Sequence, residues 1–137
     1  RYYLYIIRNN ISPSVINYNR EWHIIKPLDI SLLNAGTKKL IGTHNFSTFR
    51  ASNCNSKSAK KTINKIQVIK KKNLIKIRFA SKSYLKSQIR SMVGCLKYLS
   101  EKKWSLQKFQ NVLESCERQN CAPLAPPHGL YLEKIKY

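Results

Sequence analysis

Arg90 stands inside the stretch YLKSQIRSMVG (84–94), where Leu85, Ile89, Met92 and Val93 recur at the spacing of one helix face. A guanidinium beside a packed face is satisfied by a carboxylate. Carboxylates are scarce in this chain, which has six acidic residues against 26 basic ones. Taken alone, Arg90 also fits a surface arginine whose stem covers apolar neighbours. Lys86, Arg90 and Lys97 form a basic helix face that suits phosphate. Gly94, one turn on, costs a helix interior about 1 kcal/mol relative to alanine, so it implies another backbone or a ligand passing close by.

Three other segments carry usable chemistry. In GTHNFSTFR (42–50), Phe46 and Phe49 read as packing residues and leave His44 and Arg50 as the polar groups. His44 suits a structural hydrogen bond, since no serine or cysteine accompanies it in a triad pattern. Tyr3 and Tyr5 share a strand face, where they can pack in the core or stack on a nucleobase. Such stacking contributes on the order of 1–3 kcal/mol per base. In APPHGLYL (125–132), two prolines and a glycine set a rigid entry into a last strand, or simply a turn.

These residues need elements to hold them. RYYLYIIR (1–8) is aromatic and β-branched and reads as a strand, with Arg1, Tyr3, Tyr5 and Ile7 on one face. Residues 9–27 are polar and turn-rich and read as a long connection. Asp29 suits an N-cap for a helix over about 30–41, with Leu33, Leu40 and Ile41 inward and Gly42 at its C′ position. Residues 43–60 read as a loop. Strands follow at 61–69 and 74–80, joined by KKKN (70–73), where Asn73 tolerates left-handed backbone. In the first the apolar residues fall on both faces. In the second Ile75, Ile77 and Phe79 alternate cleanly with Lys76, Arg78 and Ala80. Helices at about 84–99 and 105–116 come next, the latter with Leu106, Phe109, Leu113 and Cys116 on one stripe. A strand at 130–137 closes the chain. The order β-α-β-β-α-(α)-β predicts an α+β, ferredoxin-like fold: a four-stranded antiparallel sheet with helices on one face.

Length and composition bound the reading. The 137 residues suit one domain. A net charge of +20 attracts polyanions, nucleic acid first among them. No apolar run approaches the roughly 20 residues needed to span a bilayer, and no segment reads as a signal peptide. Arg1 falls directly in a strand-like run, so the chain reads as a piece of a longer product. Cys54, Cys95, Cys116 and Cys121 form no C-x-x-C pair. They read as free thiols in a reducing cytoplasm, with Cys95 in the core and no metal site.

Together and in this order, RYYLY, LIGTHNFSTFRA, YLKSQIRSMVG and APPHGLYLEKIKY resemble the C-terminal half of the tRNA pseudouridine synthase A (TruA) family. That family carries an R-x-Y-x-Y strand and a G-x-H-[DN]-F-[ST]-x-F-R loop. It also carries an arginine-bearing helix ending V-G and a final A-P-x-x-G-L-Y-L strand. The similarity covers essentially the whole chain. It implies isomerisation of uridines in the tRNA anticodon stem-loop to pseudouridine, with no cofactor and no metal, on a base flipped out of its stack. Arg90 matches the arginine that pairs with the family's catalytic aspartate. Tyr3 matches the tyrosine packed on the target base, and Leu130 the leucine lining the opposite side of the uracil pocket. His44, Arg50, Lys57, Lys60, Lys61 and Lys86 are expected to face tRNA, the lysines and Arg50 on charge alone.

The resemblance has departures. Lys86-Ser87-Gln88 replaces an aromatic or histidine-rich stretch, and Asn45 follows His44 where aspartate is commoner. The R-T-D-x-G-x-H segment that holds the catalytic aspartate is missing. Asp29 is the only aspartate in the chain and matches none of it. The expectation is a half-site without isomerase activity of its own, completed by a missing N-terminal half, in a family that forms homodimers. A non-enzymatic RNA-binding module of the same fold is the alternative, though no strand carries the RNA-recognition-motif signature. A ribosomal protein fits less well, because the chain has no long basic tail.

Overall fold

The structure, a computed structural model, describes residues 1–10, 20–54 and 56–134. In chain order its elements are β1 (Tyr2–Asn9), β2 (Trp22–Ile24), α1 (Ile30–Leu40) and β3 (Gly42–Asn45). Then come β4 (Lys60–Lys71), β5 (Leu74–Ser81), α2 (Gln88–Ser100), α3 (Leu106–Ser115) and β6 (Leu130–Lys134). The last three residues of the expected final strand, 135–137, lie outside the described residues, as do 11–19 of the first connection.

The architecture is α+β, but the sheet has six strands rather than four. Antiparallel pairs join β1 to β5, β5 to β4 and β4 to β3. The other edge of β1 is shared. Its start pairs antiparallel with β6, and its end pairs parallel with β2. The two extra strands are three and four residues long. Segments that short show no alternation, so the sequence reads them as connection and loop.

Strand geometry explains the mixed pattern in β4. Its register to β5 shifts between Ile63 and Lys65, leaving Asn64 as an extra residue. This bulge lets Ile63 and Ile66 face the same core although they are three residues apart. On β5 the alternation is plain, with Ile75, Ile77 and Phe79 fully buried. Those residues, with Tyr5 and Ile7 of β1, form one cluster with Leu33, Met92, Val93, Leu96 and Phe109 of the helices. The helices therefore cover one face of the sheet. The opposite face carries Lys76, Arg78 and Tyr131, with Arg78 held bidentately by Glu133 at 2.7 and 2.9 Å.

Local signals set the helix ends. The Asp29 side chain accepts from the Leu32 N–H at 3.2 Å and so caps α1. Gly42 takes φ +104° after the helix and leads straight into β3. Leu33 and Leu40 are buried, but Ile41 is 37% exposed, because its backbone has already turned extended. In the β4–β5 hairpin the left-handed residue is Lys72, at φ +57°, rather than Asn73. The long helix starts at Gln88 instead of 84. Ser87 is left-handed, and the buried Gln88 side chain turns back to accept from the Leu85 N–H at 2.8 Å. Ser105 caps α3 by accepting from the Lys108 N–H. Its buried stripe is Phe109, Val112 and Leu113, while Cys116 lies past the helix end at φ +55°.

Gly94 has the close neighbour its cost implied. A Cβ built there would lie 2.1 Å from the Pro123 carbonyl oxygen, so the chain between α3 and β6 crosses α2 at this point. Gly94→Ala should lower unfolding free energy by about 1–3 kcal/mol in urea titration, despite alanine's better helix propensity. An unchanged or raised midpoint would contradict this crossing.

Candidate active-site cleft

A cleft of about 380 Å³ opens where the start of β1 meets the approach to α2. Arg1, Tyr3, Tyr84, Lys86, Arg90 and Leu130 line it, with Leu85 to Ile89 completing the wall. Three residues singled out in the sequence, Arg90, Tyr3 and Leu130, thus share one cavity although they are far apart in the chain. Register accounts for two of them. Tyr3 precedes the buried Tyr5 by two on β1, and Leu130 pairs directly across from Tyr5. Arg90 comes from the first turn of α2, packed over the same sheet face.

Arg90 is held by main chain. Its Nε donates to the Ala125 carbonyl at 2.7 Å, and the Ala125 N–H donates to the Arg90 carbonyl at 3.0 Å. Among the described residues, ion pairs engage Glu21, Asp29, Glu101 and Glu133, and none includes Arg90. Asp29 lies at the wrong end of α2. Its N–H donates to the Ser100 carbonyl, ten residues or about 15 Å along the helix from Arg90. Lys97, placed by sequence on the same basic face, is taken up by Glu101 at 3.1 Å.

Tyr84 is a wall of the cleft that sequence reasoning passed over. Its ring stands edge-on to Tyr3, with centroids 5.1 Å apart and planes at 89°. Its signal was modest: an aromatic residue just before the amphipathic run. Arg1 and the buried Gln88 were missed too. Arg1 belongs to the R-x-Y-x-Y strand but was not assigned to the site, and Gln88 has no pattern of its own.

The remaining predicted residues sit around this cleft rather than in it, Lys86 excepted. Lys86 is exposed on its rim, and its carbonyl accepts from the Ala51 N–H, tying the 42–51 segment to the cleft wall. His44 has a ring nitrogen 3.0 Å from the Ile41 carbonyl and stacks edge-on against Phe46. Arg50 donates to the Cys54 and Ser56 carbonyls and so folds its own loop. Lys57 is exposed. Lys60 and Lys61 line a neighbouring depression of about 400 Å³ with Lys82 and Ser81–Ser83, which lead into Tyr84. No three His, Cys, Asp or Glu side chains among the described residues are grouped to hold a metal, and no described helix is long and apolar enough to cross a membrane.

Electrostatics around the cleft favour anions and neutral phenols. Burial pushes the Tyr5 phenol well above the usual tyrosine range, while the nearby Arg90 charge opposes the shift. Tyr84 is raised by burial and by Tyr3, with Arg1 opposing. Both phenols hold their protons more tightly folded than unfolded, where the ordinary value is about 10. Their contribution to stability is complete below that pH and is lost as pH rises through the folded values. Unfolding free energy should therefore fall above about pH 10, with a shallower slope in Tyr5→Phe and Tyr84→Phe. Ultraviolet titration should show these two of the eight tyrosines ionising last. Eight phenols titrating together would refute it.

Known proteins match this sequence over its whole length. Residues 37–137 match the family described as tRNA pseudouridine synthase. A tRNA pseudouridine synthase A of Pelagibacter ubique is 53% identical over 137 residues, covering all of this chain and 56% of that protein. Enzymes of the same name from Sinorhizobium medicae and Brucella anthropi are 39% and 37% identical, again over the whole chain and 56% and 55% of their own lengths. The chain thus spans a little over half the length of the curated relatives it matches. With the family's motifs gathered around one cleft, this chain belongs to the tRNA pseudouridine synthase A family.

Proposed function

We propose that this chain is the C-terminal, active-site-contributing half of a tRNA pseudouridine synthase acting on uridines of the anticodon stem-loop. The observation that carries the reading is the shared cleft: Arg90, Tyr3 and Leu130 face one cavity that contains no carboxylate among the described residues. The reaction is an isomerisation. The bond from C1′ to uracil N1 breaks, the ring turns, and C1′ rejoins at C5. The C5 hydrogen leaves to solvent and N1 takes a proton. Neither cofactor nor metal enters that balance.

In this reading each residue has a defined task. Arg90 pairs with the catalytic aspartate supplied by an N-terminal half and fixes its direction. The Tyr3 ring packs on the flipped uracil, with Tyr84 holding the ring upright. Leu130 closes the opposite side of the pocket. Lys86 on the rim, with Lys60 and Lys61 in the adjoining depression and Lys57 nearby, neutralises phosphates of the stem. His44 and Arg50 contribute by shaping the loop that supports the rim. The complete enzyme works in the cytoplasm, as a homodimer in keeping with its family.

Tritium release from 5-tritiated uridine in anticodon-arm RNA tests the reading. The complete enzyme should turn over, and residues 1–137 alone should not. Arg90→Ala in the complete enzyme should lower kcat by at least about 100-fold, since breaking a buried charge pair typically costs about 3–5 kcal/mol. Turnover by residues 1–137 alone would place the catalytic acid within this chain, whereas full modification with weakened RNA binding in Arg90→Ala would favour an RNA-binding role for this arginine. Replacing Lys60, Lys61 and Lys86 together by alanine should weaken tRNA binding and flatten its salt dependence by about 2–3 in log–log slope. An unchanged slope would remove these lysines from the interface.

A further inference from the structure

Residues Cys121–Pro126 form a strap without helix or strand that crosses α2 and leads to β6. Contacts at its two ends fix its height over the helix. At the first end the Ala122 N–H lies 3.4 Å from the Cys95 sulfur, and the Cys95 and Cys121 sulfurs are 3.6 Å apart. At the second end the Tyr5 hydroxyl donates to the Pro126 carbonyl at 2.6 Å. Between them sits Ala125, whose carbonyl receives the Arg90 Nε.

Tyr5 is fully buried, and nothing in the reaction as described uses it. Its ring is seated under Gly129, where a Cβ would come within 2.8 Å of Tyr5 Cζ and 3.0 Å of the Ile6 carbonyl. The hydroxyl therefore has little room to swing. Prolines at 123, 126 and 127 have no N–H, so the Ala125 amide is the strap's donor toward Arg90. An arginine carries five N–H donors in a rigid plane. With Nε committed to Ala125, the direction of the other four is set by where the strap lies. None of those four has a protein acceptor among the described residues.

We propose that Tyr5 is a positioning residue for Arg90: its hydroxyl holds Pro126, and through it the neighbouring Ala125 carbonyl, so that the guanidinium points its free edge into the cleft. The inference rests on the reading that Arg90 orients the catalytic acid. Because burial keeps the phenol protonated, Tyr5 remains a donor throughout the physiological range.

The test uses the complete enzyme and single-turnover kinetics. Tyr5→Phe keeps the ring under Gly129 and removes only the donor. It should lower kcat by about 5- to 20-fold, as expected for one buried hydrogen bond, with KM for RNA within about twofold. In an Arg90→Lys background, which has no Nε–H to clamp, Tyr5→Phe should cost nothing more. Gly129→Ala, which displaces the ring but keeps the phenol, should show the same dependence on Arg90. Circular dichroism confirms that each variant is folded. An unchanged kcat in Tyr5→Phe overturns the proposal, as does an equal further loss in the Arg90→Lys background. If Arg90→Ala itself keeps full kcat, the functional reading fails along with it. If Arg90→Ala is inactive but the losses at Tyr5 and Arg90 simply multiply, only the positioning role falls.

Discussion

The two hydrogen bonds between Arg90 and Ala125 tie together three parts of the chain that have no sequence proximity. One partner sits in the first turn of α2, the other in an irregular strap 35 residues later. The strap can approach so closely only because residue 94 has no side chain, and it can turn into β6 only because residue 129 has none either. Both glycines follow from steric demand, since the nearest atoms would be main-chain oxygens and a packed ring. The sheet supplies the third part. Tyr5 rises from β1 to meet the strap, and Tyr3, two residues earlier on the same face, reaches the cleft. Position in the cleft is thus inherited from ordinary packing of helix, strap and strand.

Charge distribution explains why the cleft is left as it is. With 26 basic and six acidic residues, most cations have no carboxylate partner among the described residues. The carboxylates are used elsewhere: Glu133 bridges to Arg78 on the open sheet face, Glu21 to Arg8, and Asp29 caps α1. The Arg78–Glu133 pair on the exposed sheet face contributes roughly 0–1 kcal/mol, so it places charge more than it stabilises the fold. The effect of the carboxylates on the cleft is by omission. A guanidinium that is only half-buried and already bonded to a carbonyl bears a smaller desolvation penalty than a lone buried charge. Arg90 can therefore sit in the folded cleft without a carboxylate partner among the described residues.

Much of the fold was legible because its signals were strong and local. The alternation in β5, the Asp29 cap, the Gly42 stop and the two amphipathic helices each fixed an element from a few residues. What escaped were features that no local pattern encodes. β2 and β3 are too short to alternate and exist only because β1 and β4 present free edges. The bulge at Asn64 made β4 look two-sided until its register to β5 was seen. The start of α2 moved because Ser87 is left-handed and the Gln88 side chain accepts from the Leu85 N–H in the turn before the helix, a device invisible to apolar spacing. At the site, Arg90, Tyr3 and Leu130 were readable through motif resemblance, and Gly94 through its energetic cost. Tyr84 and Tyr5 were not, because a tyrosine's role depends on what its ring and hydroxyl meet, and both meet residues distant in sequence.

The same geometry shows what an arginine at position 90 does that another cation would not. A lysine ammonium is a single point on a flexible stem, so anchoring it to Ala125 would use the very group that must face the cleft. Arginine separates the two tasks within one rigid plane. Nε bonds to the strap, and the Nη nitrogens, which have no acceptor among the described residues, present the paired edge that suits side-on contact with a carboxylate. Because the plane is rigid, an error in the strap's height becomes an error in the direction of that free edge. The direction of that edge therefore depends on contacts that lie outside the cleft. The close packing at Gly94, Tyr5 and Gly129 is where that sensitivity is concentrated.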